Sequence, residues 1–303
     1  MAKSSGFWYG GDMRTHPECI SCFHRQVKEA SSLLGIPKES TAVMTKALDV
    51  YLEQYPMDSS PPLMAAFIQR QLVLHSGKAD PYGEIKRDSN AHAMAVFDEM
   101  LSMVATSADP LRSAVVLSCA GNIIDFGVSP NGVHVQAEIA AIMEDLASHV
   151  AESAGDLFRI ESLQRSLAQA RRLLYIGDNA GEIVFDRVLI QTIRQRYPDI
   201  EIWFATRGMP ILNDVLIEDA SACGIDTVAQ VISSGVPTAG LVLSEASPRF
   251  LELYDSCDLI ISKGQGNFEA LNETDGPIFF LFITKCQVIR REVGSAMRQI
   301  VLI

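Results

Sequence analysis

From about residue 171 onward, short β-branched and aliphatic runs alternate with amphipathic stretches, and this alternation constrains the fold more than any other feature. It is the mark of βαβ units, because a strand buried on both faces reads as a continuous apolar run and each crossover helix carries one apolar stripe. The expected strands are Leu173 to Ile176, Glu201 to Ala205, Thr227 to Ile232, Leu259 to Ser262 and Ile278 to Thr284. Between them the spacing predicts helices over Glu182 to Tyr197, Asp214 to Cys223 and Pro248 to Ser256. Crossovers of this length join parallel strands, so the second half is expected to form a parallel sheet.

The texture changes near residues 150 to 170. Before that zone, apolar residues recur at helical spacing: Val27, Leu33 and Leu34; Val43, Leu48 and Val50; Leu63, Phe67, Leu72 and Leu74; Met94, Phe97, Met100, Leu101 and Val104. Gly35-Ile36-Pro37, Pro56 with Ser59 to Pro62, Ala79-Asp80-Pro81 and Asp109-Pro110 break these runs, and Ser40 or Asp109 is a suitable cap for the helix that follows. The expected organisation is a flexible leader over 1–12, a helical domain over 13–160 and an α/β/α domain over 161–303. The leader has no apolar core of signal-peptide length, and Met13 is a plausible alternative start.

Charge and cysteine usage exclude several classes. The 25 Lys and Arg against 37 Asp and Glu give a net charge of -12, the opposite of a nucleic-acid binder's footprint. A 48% hydrophobic content supports a large core and excludes global disorder. The longest apolar stretches fall short of the ~20 residues of a membrane span. Six cysteines spread along a chain of this length need no covalent stapling, which predicts a reduced, cytoplasmic protein.

In an open parallel sheet, ligands bind beyond the carboxyl ends of the strands. The first strand runs into Gly177-Asp178-Asn179-Ala180-Gly181-Glu182, whose helix also carries Asp186. The second leads through Thr206-Arg207-Gly208 to Asn213-Asp214, and the fourth into Lys263-Gly264-Gln265-Gly266-Asn267-Phe268-Glu269. These edges offer hard oxygen ligands, glycines that let the backbone approach an anion, and a lysine, the mixture a metal-assisted phosphoryl site requires. Neither G-x-G-x-x-G nor G-x-x-x-x-G-K-[ST] occurs, so a dinucleotide fingerprint and a P-loop are both excluded.

With Pro17-Glu18-Cys19-x-x-Cys22, Arg25-Gln26, Asp80-Pro81-Tyr82, Lys86, Asn90 and Ala120-Gly121-Asn122-Ile123-Ile124-Asp125 in the first half, these edges resemble the damage-control phosphatase family, also known as domain of unknown function 89. The resemblance spans about Met13 to Ile283, and the Cys-x-x-Cys start points to a microbial branch. It implies a helical bundle packed against an α/β/α domain with a mostly parallel, Rossmann-like sheet. It also implies metal-dependent hydrolysis of small phosphate esters such as sugar phosphates or damaged metabolites. The resemblance makes Asp178, Asn179 and Asp214 ligands of a divalent ion (Mn, Mg, Co or Ni) and places Lys263 near the phosphate. Glu182, Asn122 and Asp125 line the same cleft, and Arg207, Gly181, Gly264 and Asn267 complete the expected substrate-binding set.

The small phosphorylated metabolite is then the partner, with no nucleic acid and no membrane; composition leaves the oligomeric state open. Two alternatives stand beside this reading: a carboxyl methyltransferase, and a non-enzymatic module in which Cys19 and Cys22 bind metal or a partner. Cys-x-x-Cys alone is half a zinc site, and His16 and His24 are not at finger spacing, so the pair reads first as structural.

Overall fold

The computed structural model describes residues 13–121, 144 and 157–303. The leader over 1–12 lies outside them, as do Asn122 and Asp125. Six strands form one sheet: β1 Arg172–Ile176, β2 Glu201–Thr206, β3 Gln230–Ser233, β4 Leu259–Lys263, β5 Ile278–Ile283 and β6 Ile300–Leu302. Their order is β3-β2-β1-β4-β5-β6; β1 to β5 are parallel, and β6 runs antiparallel to β5. At the end of β1, Ile176 pairs with Ala205 of β2 on one side and Ser262 of β4 on the other. Strand order reverses between β1 and β4, and a crevice opens at such a switch point.

Helices α1 Pro17–Leu33, α2 Lys38–Leu52, α3 Pro61–Ser76, α4 Gly83–Met94, α5 Phe97–Ala105 and α6 Pro110–Ala120 fill the first half. In the second half lie α7 Ile160–Leu167, α8 Glu182–Arg196, α9 Ile217–Ala222, α10 Pro248–Ser256, α11 Gln265–Leu271 and α12 Gln287–Val293. Proline opens α1, α3, α6 and α10, where its missing N–H costs nothing. Asp109 caps α6 as expected, accepting from the N–H of Arg112 at 3.1 Å. Ser40 does not cap α2, which already begins at Lys38 after Pro37.

The sheet divides its side chains between two layers, as a period of two requires. Leu173, Tyr175, Ile202, Phe204, Leu259 and Ile261 face a core shared with α5, α6, α7 and α8. Leu174, Ile176, Ala205, Ile260, Phe280 and Phe282 face the opposite core with α10, α11 and α12. Residues of α5 and α6 thus belong to the same core as the sheet, while α1 to α3 pack mainly on one another around Val27, Met44, Leu48 and Ile68. Each fully buried side chain of this size contributes roughly 1.5–3 kcal/mol. Among the described residues, no helix is long and apolar enough to cross a membrane.

Three local expectations change. The expected strand from Thr227 starts later, because Ile225–Thr227 forms a 3-10 turn first. The expected helix from Asp214 starts at Ile217, because the residues before it pair with another loop. Beyond the expected elements the sheet gains β6, and α11 and α12 flank β5.

Candidate active site at the sheet's switch point

The loops after β1 and β2 are joined by a short antiparallel bridge between Asn179 and Asp214. The Val215 N–H donates to the Asp178 carbonyl and the Ala180 N–H to that of Asn213, both at 2.9 Å. This backbone pairing brings Asp178, Asn179 and Asp214 side by side. The Asn179 amide donates to Asp178 Oδ2 at 2.7 Å and to Glu182 Oε2 at 3.3 Å. Arg207 Nε donates to Asp214 Oδ2 at 2.7 Å, and its Nη2 lies 3.8 Å from Asp178 Oδ1. That Nη2 is buried and has no hydrogen-bond partner among the described residues.

Lys263 lies beneath this group, fully buried at the end of β4. Its Nζ donates to Glu182 Oε1 at 2.7 Å, Asp186 Oδ1 at 2.5 Å and the Ser118 carbonyl at 3.0 Å. These contacts use all three ammonium hydrogens, so the lysine expected beside the phosphate serves the carboxylates under it. Asp186 also accepts from the Tyr175 hydroxyl at 2.7 Å.

Crowding of buried carboxylates sets their protonation. Burial, then Glu182 and Asp214, hold Asp178 well above the ordinary carboxylate range, with Arg207 and Lys285 pulling the other way. Burial also raises Asp214 against the pull of Arg207, and it pushes Asp186 up to about 7 despite Lys263. For Lys263 burial acts downward, but Asp186 and Glu182 outweigh it and hold the ammonium charged.

The neighbouring glycines and Asn267 have backbone roles. Gly264 has φ +84, and a Cβ there would stand 2.1 Å from Asp178 Oδ2, so only glycine leaves that carboxylate its place. Asn267 is fully buried; its amide donates to the carbonyls of Lys263 at 2.7 Å and Gly177 at 3.2 Å, while its Oδ1 accepts from the Leu241 N–H at 2.9 Å. Expected at the substrate, it ties the ends of β1 and β4 together. The Gly181 N–H, expected to face a phosphate, donates to Asn90 Oδ1 at 2.7 Å.

Asn90 belongs to a polar strut with Lys86, Asp80 and Asp219; the first three stand among the sequence motifs without a role, and Asp219 is not singled out there. The Asn90 amide donates to Asp219 Oδ1 at 3.0 Å, and Lys86 Nζ lies 2.8 Å from Asp80 Oδ2 and 3.4 Å from Asp219 Oδ2. Lys86 and Asn90 are four residues apart on α4, a spacing that puts both on one helix face. That shared face was the available signal.

The donor set suits a hard divalent ion. Among the described residues, no three His, Cys, Asp or Glu side chains are already drawn together as a metal site. Asp178 and Asp214 instead offer two carboxylates, and Asn179 a carboxamide oxygen. Magnesium-like ions accept such sparse protein shells, taking water and substrate phosphate for the remainder. Asp178, Glu182, Asp186 and Asp214 raise one another's cost of ionisation in this buried group, a crowding that a bound divalent ion would relieve.

Known proteins resemble this chain over nearly its whole length. A model of the damage-control phosphatase ARMT1-like domain matches residues 15–301. Over 95% of its length the chain is 33% identical to uncharacterized protein MJ0202 of Methanocaldococcus jannaschii, covering 94% of that protein. It is 32% identical to damage-control phosphatase PH1575 of Pyrococcus horikoshii, covering 93% of this chain and 94% of the relative. The crystal structure of the DUF89 family protein PH1575 superposes with a TM-score of 0.84 at 29% identity, over 96% of this chain and 99% of that one.

Proposed function

Because the chain belongs to the damage-control phosphatase ARMT1-like family, we propose that it hydrolyses small phosphate monoesters with a divalent metal ion, removing phosphate from sugar phosphates or damaged metabolites. The observation that carries this reading is the bridge that sets Asp178, Asn179 and Asp214 beside Arg207 Nη2, which has no hydrogen-bond partner among the described residues. Asp178, Asn179 and Asp214 would hold the ion (Mg, Mn, Co or Ni), which when bound withdraws charge from a phosphoryl oxygen. Arg207 Nη2 supplies a buried donor for another phosphoryl oxygen, and a hydrogen bond made in such a dry site is strong. The chain from Lys263 through Glu182 to Asn179 holds the Asn179 amide toward Asp178 and leaves its oxygen for the ion. Water is the final acceptor of the phosphoryl group.

With a net charge of -12 the molecule repels a phosphate at long range, so Arg207 provides the local positive charge. The cysteines stand unpaired, which suits a reducing cytoplasm. Relatives named damage-control phosphatase give no support to carboxyl methyl transfer.

The test is phosphate release from a panel of small phosphate esters by metal-stripped protein, with Mg²⁺, Mn²⁺, Co²⁺ or Ni²⁺ added back. Metal-dependent release that falls by about 10²-fold or more in Asp178→Ala is expected. Release that ignores metal, or survives this substitution, overturns the reading, as does no release with any ion.

A further inference from the structure

A cleft of about 750 Å³ opens between α1, α3, α11 and the turn before α12, and none of Asp178, Asn179 and Asp214 lines it. It nevertheless adjoins them, because both places are built on the carboxyl edge of the sheet, where an α/β fold binds its ligands. Gly264 lies against Asp178, where a Cβ would stand 2.1 Å from Oδ2, and the next two residues, Gln265 and Gly266, border the cleft. Lys285 follows β5 by two residues and borders the cleft as well. Burial raises the Asp178 carboxyl and the Lys285 charge helps to pull it back, so the lysine belongs to both places.

The cleft combines an apolar wall with polar groups held in place. Phe23 of α1 and Pro61, Pro62 and Ala65 of α3 are buried residues along that wall. Met297 adds apolar surface from the C-terminal segment and is 38% exposed. Gln265 and Glu269 stand one turn apart on α11 and share a face. Gln265 Nε2 donates to Glu269 Oε1 at 2.9 Å, and its Oε1 accepts from the Lys285 N–H at 3.1 Å. One amide thus fixes both the Glu269 carboxyl and the start of the turn before α12. Burial pushes Glu269 up to about 7, so near neutral pH its carboxyl serves as donor or as acceptor.

Apolar walls with a few fixed polar groups are the make-up of small-molecule pockets, which span roughly 300–1,000 Å³. A cleft of about 750 Å³ lies in the upper part of that range. A single sugar ring in it would leave the apolar wall in contact with water, forfeiting the favourable burial. We propose that the cleft receives the alcohol part of the substrate, and that this alcohol is an amphipathic group of nucleoside size rather than a sugar. Its ring system packs against Phe23, Pro61 and Pro62, its hydroxyl or amide hydrogens meet Glu269, and Lys285 marks the junction with the phosphoryl end. This assignment rests on the metal-dependent hydrolysis and narrows its substrates.

The test compares kcat/KM, with Mg²⁺ or Mn²⁺, for 1-naphthyl phosphate and the 5′-ribonucleoside monophosphates against glucose 6-phosphate. At least one of the larger esters is expected to exceed glucose 6-phosphate by about tenfold or more. Gln26→Trp and Met297→Trp fill the cleft from α1 and from the C-terminal segment. Each is expected to raise KM for that ester by about tenfold and so to narrow its advantage over glucose 6-phosphate. On unmodified protein, the free alcohol of that ester is expected to compete with it, and more strongly than glucose does, a measurement independent of how the variants fold. Glucose 6-phosphate hydrolysed as well as every larger ester, an advantage that survives both tryptophans, or an alcohol that does not compete overturns the assignment and leaves the hydrolysis standing. No release from any ester with any ion overturns the hydrolysis, and the assignment with it.

Discussion

At the residue scale, the site depends on one ammonium group that reaches no solvent. Lys263 is fully buried and bonded to two carboxylates, so removing its charge leaves Glu182 and Asp186 buried without their cation. Breaking a buried pair in this way costs about 3–5 kcal/mol. Lys263→Met is therefore expected to lower the unfolding free energy by that amount in urea titrations; a loss under about 1 kcal/mol would show that another group neutralises the pair. Gly264→Ala acts differently, because its Cβ would strike Asp178 Oδ2 and force the carboxylate to move. Misplacing a reacting group by about 1 Å costs on the order of 10²-fold in rate. We expect metal-dependent phosphate release to fall by about that factor in Gly264→Ala, with a positive-φ strain of only about 1–2 kcal/mol in the melting curve. Unchanged kcat/KM would mean that Asp178 has room to shift without consequence. Asp178 and Asn179 stand out in the sequence because polar residues directly after an apolar run mark a strand edge, and Asp214 stands out on the loop beyond the next run; a ligand role for the three comes only with the family resemblance. The surroundings of Lys263, Asn267 and Gly181 could not, because spacing along the chain does not reveal whether a donor is already taken. Here Glu182, Asp186 and Ser118 take the lysine, and Asn90 takes the Gly181 N–H.

At the scale of elements, the parallel strands were readable because both their faces are buried, which turns each into an apolar run. Strand β4 shows this most plainly, since every residue from Leu259 to Lys263 is buried. Strand β6 escaped because Ile300–Leu302 is only three residues long, and α11 and α12 because seven residues make too few turns to show a period. Tertiary ties between elements left still less trace. Asn90 of α4 holds the N-terminus of α8 by accepting from Gly181, and it holds α9 by donating to Asp219. Asn90→Ala orphans a buried N–H and a carboxylate oxygen, each of which costs about 1–3 kcal/mol. The expected result is a loss of roughly 2–4 kcal/mol in thermal unfolding, with faster amide exchange at the start of α8. Wild-type protection at Gly181 in this variant would show that the strut does not position the helix.

Across the whole molecule, carboxylates held neutral by burial tie stability to pH. Asp186 lies buried on α8 against Tyr175 of the core that α5 and α6 share with the sheet, while Glu269 lies on α11, which packs on the sheet's other face. Burial pushes both side chains up to about 7. In the unfolded chain the same groups titrate near 4, so between those values the unfolded state holds fewer protons than the native one. Their contribution to stability is thus fully present below about pH 4 and is lost as pH rises through about 7. Lys263 is raised rather than lowered, so its own titration lies far above this window and does not reverse the sign. Glu269 tests the argument cleanly, since it touches neither Lys263 nor the metal-ligand set and accepts its hydrogen bond from Gln265 at 2.9 Å. Glu269→Gln keeps a neutral hydrogen-bonding group in place and removes the titration. Urea midpoints of wild type are expected to fall between pH 5 and pH 8, and the variant is expected to recover roughly 1–2 kcal/mol of that fall, a figure reduced for the partial exposure of the side chain. A variant that loses as much stability as wild type over this interval would remove Glu269 from the account and leave Asp186 to carry it.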